Sequence, residues 1–204
     1  VYNGIAHSHG LIHLGCWAHA RRYFVEAEAV LPKAARLPDQ LASQFIAAIA
    51  RLYAVEAKVK GKGVAERAQL REAASRSILA EIQHLLVTHR HSVTPGSLLG
   101  KALHYLEAQW PKLIRYVENG AWPIDNNLCE NAIRPFVVGR RNWLFADTVA
   151  GANGSANIYS LIETCKANGV DTYRYLVALF KALPLAKTAD DYEQLLPWHL
   201  TLGD

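Results

Sequence analysis

A chain of 204 residues, half of them apolar and with a formal charge of +4, suits one domain or one domain with an inserted subdomain. Its three cysteines (Cys16, Cys129 and Cys165) are far apart and form no CxxC pair, which argues against a disulfide framework and for a reducing compartment. The longest apolar candidate, Phe45 to Val55, is interrupted by Arg51 and is too short to span a membrane, and the N-terminus lacks a secretory pattern. The sequence has no methionine, so it is expected to be a piece of a longer chain or to use an alternative start.

Gly10-Leu-Ile-His-Leu-Gly-Cys16 alternates apolar and polar residues between glycines and predicts a short strand. An Ala-rich helix follows from Trp17 to about Leu31, stopped by Pro32, with Arg21 and Arg22 on its first half. Pro38 is placed to open the next helix, whose stripe is Leu41, Phe45, Ile49 and Leu52, running to Val59. A basic turn over 58–63 leads to a helix from Val64 to about His89, with Leu70, Ile78, Ile82 and Leu85 inward. Ser97 is placed to cap a further helix, with Leu99, Leu103, Leu106 and Trp110 on one face and a kink at Pro111. Residues 38–119 therefore read as an all-α block of three antiparallel helices.

Beyond Asn119-Gly120 lies Asp125-Asn-Asn-Leu-Cys-Glu-Asn-Ala-Ile-Arg-Pro135. As a helix capped by Asp125 or Asn126, it places Asn127, Glu130, Asn131 and Arg134 on one face and Leu128, Cys129, Ala132 and Ile133 on the other. Pro135 is expected to end it. Short strands are predicted at Phe136-Val-Val and Asn142-Trp-Leu-Phe145, and a loop at Gly151-Ala-Asn-Gly-Ser155. A helix from about Ala156 to Asn168 turns Ile158, Leu161, Ile162 and Cys165 inward, with Gly169 after its end. Asp171 is placed to cap the next, with Tyr175, Leu176, Leu179 and Phe180 inward, and Thr188 a last short one.

Four constellations bear on chemistry. The polar face around Glu130 reads either as a site or as a solvated Glu130–Arg134 pair with an ordinary cap, and one carboxylate alone does not hold Mg²⁺. His9, His13, Cys16 and His19 have metal-like spacing, but a strand running into a helix scatters them, so zinc is not favoured. Arg21, Arg22, Arg134, Arg140 and Arg141, near Tyr23, Trp143 and Phe145, suit either phosphate-backbone contact or solvated surface. The Gly151–Ser155 stretch lacks the Lys-Ser/Thr ending of a phosphate loop.

At Gly15-Cys-Trp-Ala-His-Ala-Arg-Arg22, at the Asp125–Pro135 stretch with Gly139-Arg-Arg-Asn-Trp-Leu-Phe145, and at Leu195-Leu-Pro-Trp198, the sequence resembles the C-terminal part of bacterial transposases of the insertion-sequence sixty-six family. The motifs occur in order over nearly the whole chain. The resemblance implies a DDE-type enzyme with a ribonuclease-H-like α/β core, in which two aspartates and a glutamate hold Mg²⁺ and DNA strands are cleaved and transferred. It makes Glu130 the glutamate and metal ligand. Arg21, Arg22, Arg134, Arg140 and Arg141 become DNA contacts, supported by Asp125, Asn126, Asn127, Asn131 and His19.

The expected fold is then mainly α with a few short strands. Residues 1–31 are the last core strand and helix, 32–120 a helical insertion, and 121–204 the return to the core with the C-terminal helices. DNA is the implied partner, homo-oligomers are compatible with the family, and the implied location is the bacterial cytoplasm at the nucleoid. The family's aspartates lie ahead of the Gly-Cys-Trp-Ala-His motif, the later one shortly before the Tyr-Asn-Gly seen here as Tyr2-Asn3-Gly4. No Asp or Glu precedes Gly15, so a truncated chain, inactive alone, is expected. The alternatives are a non-catalytic helical DNA-binding or interaction module and a zinc-binding protein.

Overall fold

The core stripe on Leu41, Phe45, Ile49 and Leu52 forms as its spacing requires, and it is the centre of the first of two units, Val1–Leu128 and Cys129–Asp204. The structure is a computed structural model that describes residues 10–143 and 146–200, apart from the side chains of Arg140, Arg141 and Trp143. In the first unit, α1 (Trp17–Ala29), α2 (Leu41–Val59), α3 (Val64–His89) and α4 (Leu98–Leu113) pack around one core. A 3₁₀ turn, Ile114–Val117, extends α4. Phe24 of α1 stacks on Phe45 of α2 with ring centroids 4.4 Å apart, and Trp17 meets Trp110 edge-on at 6.1 Å. So α1 shares its core with the three-helix block.

The helix starts follow local chemistry. The Ser97 hydroxyl accepts the Gly100 N–H at 3.0 Å and caps α4 as expected. Pro38, in contrast, lies ahead of α2, whose N-cap is Gln40. Pro111 sits in the last turn of α4, where the chain tightens into the 3₁₀ turn.

The inward line of α3 begins not with Leu70 but with Arg71 and Ser75, both fully buried, and continues through Ile78, Leu79, Ile82 and Leu86. Arg71 donates to Glu56 of α2 from Nε (2.8 Å) and Nη2 (2.7 Å). Its Nη1 reaches the carbonyls of Tyr116 (2.9 Å) and Asn119 (3.0 Å), and the guanidinium lies 5.2 Å from the centre of the Tyr116 ring.

Gly120 packs on the first turn of α3: a Cβ there would stand 1.9 Å from the Val64 carbonyl oxygen. Gly120→Ala therefore forces backbone apart and is expected to cost about 1–3 kcal/mol, read as a lower midpoint in urea.

The second unit holds α6 (Val149–Ala167), α7 (Thr172–Ala182) and α8 (Ala189–Gln194), with most of α5 (Asn127–Trp143). Its core is small: Cys165, Tyr175, Leu179 and Leu195, with the Tyr175 hydroxyl donating to the Leu195 carbonyl at 2.8 Å. Asp171 caps α7 by accepting the Arg174 N–H at 2.8 Å, and Thr188 and Asp191 form a capping box on α8. Gly169 adopts φ +68° just after α6, the left-handed stop its position suggested.

Among the described residues the fold is helical, and no strand occurs. The strand expected over Gly10–Cys16 is a turn at Gly10 followed by irregular chain. Leu11 and Ile12 are 60% and 57% exposed, and Gly15 N–H bonds to the Lys112 carbonyl at the end of α4 rather than to a strand. The strand expected at Phe136-Val-Val is helical, because α5 runs through Pro135. Proline removes one donor and disfavours the α conformation at Arg134, but these costs do not outweigh a helix already started and packed. Of the strand at Asn142–Phe145, Asn142 and Trp143 belong to α5, and Leu144 and Phe145 lie outside the described residues.

The Gly151–Ser155 loop is likewise helix. Thr148, three residues upstream of Gly151, accepts its N–H at 3.0 Å and starts α6 early. Ile158 and Phe180, expected inward, are exposed.

Candidate functional site

Gly15, Cys16 and Trp17 join three distant pieces of the first unit. The indole Nε1 of Trp17 donates to the Leu113 carbonyl at 2.9 Å, and its backbone N–H to the Ile124 carbonyl at 3.2 Å. A Cβ on Gly15 would come within 2.8 Å of the Leu113 nitrogen, so only glycine permits this approach. The Asn126 N–H points to Cys16 Sγ at 3.5 Å. The start of α1 is thereby tied to the turn that precedes α5.

Asp125 organises that turn. Its Oδ1 accepts the Asn127 N–H at 3.1 Å and its Oδ2 accepts Asn127 Nδ2 at 2.9 Å, a local bond of the kind that opens a helix. Tyr53 of α2 donates its hydroxyl to the same Oδ2 at 2.9 Å. Burial and the bond to Asp125 hold the Tyr53 phenol far above its ordinary pKa, while the Arg21 charge pulls weakly the other way. Nothing in the sequence singled out Tyr53. It lies beside the apolar stripe of α2, where a tyrosine reads as packing.

Arg21 and Arg22 are exposed on α1, and His19 is half-buried on the same helix. His9 lies outside the described residues. Burial, then the charges of Lys112 and Arg115, lowers the His13 pKa, and its Nδ1 is buried with no hydrogen-bond partner among the described residues. Among the described residues, no three or more His, Cys, Asp or Glu side chains gather as a metal would require.

In α5, Glu130 is half-buried in the first turn, where a carboxylate is favoured by the helix dipole. Asn131 and Arg134 are exposed on the following turn. Arg140 and Arg141 fall near the end of the same helix, with side chains outside the described residues.

The opposite side of α5 is less covered than its apolar character suggested: Leu128 is 87% exposed and Ile133 53%. Cys129, Ala132, Ile133 and Phe136 face Ala156, Tyr159, Ser160 and Glu163 of α6 across a cavity of about 250 Å³. Phe136 and Tyr159 meet edge-on at 5.1 Å.

Two family models match this chain, one described as the transposase IS66 family over residues 1–154 and one as the IS66 C-terminal element over residues 160–198. The chain belongs to the IS66 transposase family. Among its relatives is the uncharacterized protein y4qI of Sinorhizobium fredii (strain NBRC 101917 / NGR234), 34% identical over 185 residues, which cover 91% of this chain and 33% of that protein. The uncharacterized protein y4jD of the same strain is 28% identical over 185 residues, 90% of this chain and 35% of its own length. The chain thus spans about a third of the length of these relatives. No solved structure matches it.

Membership supports a transposition-related role. The motif around Gly15–Trp17 and the Asp125 turn, distant in sequence, are hydrogen-bonded to one another. No described helix is long and apolar enough to cross a membrane. Magnesium takes six oxygen ligands, and among the described residues no group of three or more acidic side chains gathers to supply them; Glu130 would be one carboxylate of such a set.

Proposed function

We propose that this chain works in DNA transposition as part of a DDE-type transposase, with Glu130 as the carboxylate it brings to the phosphodiester. Arg134, Arg140 and Arg141 on α5, and Arg21 and Arg22 on α1, hold DNA phosphates. In this reading the helices over 32–120 are an insertion in a ribonuclease-H-like core. The observation that carries the proposal is the family match over 1–154, together with the half-buried Glu130 and exposed Arg134 one turn apart on α5. Two-metal chemistry needs further carboxylates beside Glu130, and among the described residues no three acidic side chains gather, so the 204-residue chain alone is expected to cleave no DNA strand.

Fluorescence anisotropy with a DNA duplex over a salt series tests the binding. Affinity is expected to fall steeply with salt, and Arg134→Ala to lower the slope of log K against log salt by about 1. Absent or salt-independent binding removes DNA contact from the proposal. Mg²⁺-dependent cleavage by the 204-residue chain, lost in Glu130→Gln, would show that the site is complete without further residues.

A further inference from the structure

The turn that starts α5 is held by a residue distant in sequence. Tyr53 lies 72 positions before Asp125, half-buried on α2, and donates to Asp125 Oδ2 at 2.9 Å. The carboxylate also takes both the backbone N–H and the side-chain amide of Asn127. Those two donors are internal to the turn. The Tyr53 hydroxyl ties the carboxylate to another helix, while the Cys16 thiol receives the neighbouring Asn126 N–H. Glu130 stands three residues after Asn127, in the first turn of the helix so anchored.

We propose that Tyr53 is a positioning residue for Glu130: its hydroxyl fixes the Asp125–Asn127 turn from which the Glu130 helix starts. The proposal rests on Glu130 being the working carboxylate. A hydrogen bond from a neutral donor to a carboxylate is directional and stronger than a neutral pair, so it sets the angle of the turn as well as its stability. Phenylalanine at this position keeps the ring and its packing and removes only the donor.

Amide exchange on the 204-residue chain, wild type against Tyr53→Phe, reads the turn directly. The amides of Asn126 and Asn127, which are bonded to Cys16 and Asp125, are expected to exchange about tenfold faster, with α3 and the thermal midpoint close to wild type. Adding Tyr53→Phe to Asp125→Asn is expected to speed exchange less than it does alone, because the bond is already weakened. Transposition frequency of the element in cells is the second readout: Tyr53→Phe is expected to lower it about tenfold, and Glu130→Gln to lower it further.

Wild-type exchange at Asn126 and Asn127 in Tyr53→Phe overturns the proposal. So does faster exchange spread over all helices of the first unit, which marks a merely structural bond, or a loosened turn with unchanged transposition. Normal transposition by Glu130→Gln shows instead that the reading of Glu130 has failed, whatever Tyr53 does.

Discussion

Replacing Arg71 with alanine is expected to destabilise the first unit by about 3–5 kcal/mol, enough to leave much of it unfolded at moderate urea. The side chain is fully buried and each of its three nitrogens donates: Nε and Nη2 to the Glu56 carboxylate, and Nη1 to the carbonyls of Tyr116 and Asn119. Alanine leaves a largely buried carboxylate without its cation and two carbonyls without a donor, and it opens a void under the Tyr116 ring. Each of these adds to the cost of lost packing.

The converse experiment separates the desolvation cost from the benefit of the pair. Arg71→Met with Glu56→Leu removes both charges and restores apolar volume, and its cost is expected to be far smaller than that of Arg71→Ala. Equal destabilisation in the two proteins would show that packing volume, and not the unpaired carboxylate, dominates. Equilibrium unfolding followed by circular dichroism measures both.

Arg71 also shows where the sequence stopped being legible. Helices α2, α3 and α4 were readable because Phe45, Ile49, Leu52, Ile78, Ile82, Leu103 and Leu106 recur at helical spacing, and burial follows that spacing. A buried arginine breaks the pattern: at that position periodicity asks for an apolar residue, and only the partner Glu56, 15 residues away on another helix, makes it tenable. Tyr53 and Asp125 pose the same difficulty over 72 residues. Spacing along one helix carries no information about a partner on another.

The errors around α5 and α6 have a different origin. Pro135, Val137, Val138 and the glycines at 151 and 154 are local signals against helix, worth at an interior position about 3 kcal/mol for proline, about 1 for glycine and only about half of that for valine. The caps upstream, at the Asp125 turn and Thr148, decide where a helix begins, and once begun it runs through weak residues. The Glu130 face itself was legible, since Glu130, Asn131 and Arg134 do lie on an α-helix. Its apolar counterpart was not, because Leu128 and Ile133 remain largely exposed.

Glu130→Gln is expected to lower transposition at least about a hundredfold while leaving the fold and the DNA affinity of the chain close to wild type. The two readings of this residue differ most here. A surface pair between Glu130 and Arg134 at i,i+4 contributes only a few tenths of a kcal/mol, and the dipole at the start of α5 adds a similar amount. Were that its whole role, glutamine, which keeps the size and can still accept a hydrogen bond, would leave transposition unchanged. A carboxylate that would hold a Mg²⁺ ion at a phosphodiester has no such substitute, because the amide lacks the full negative charge that binds the cation. Arg134→Gln supplies the contrast: on the proposed reading it is expected to weaken DNA binding and its salt dependence together, whereas Glu130→Gln is expected to leave binding in place and stop the reaction. A Glu130→Gln protein that binds DNA normally and transposes normally would return the residue to the surface pair.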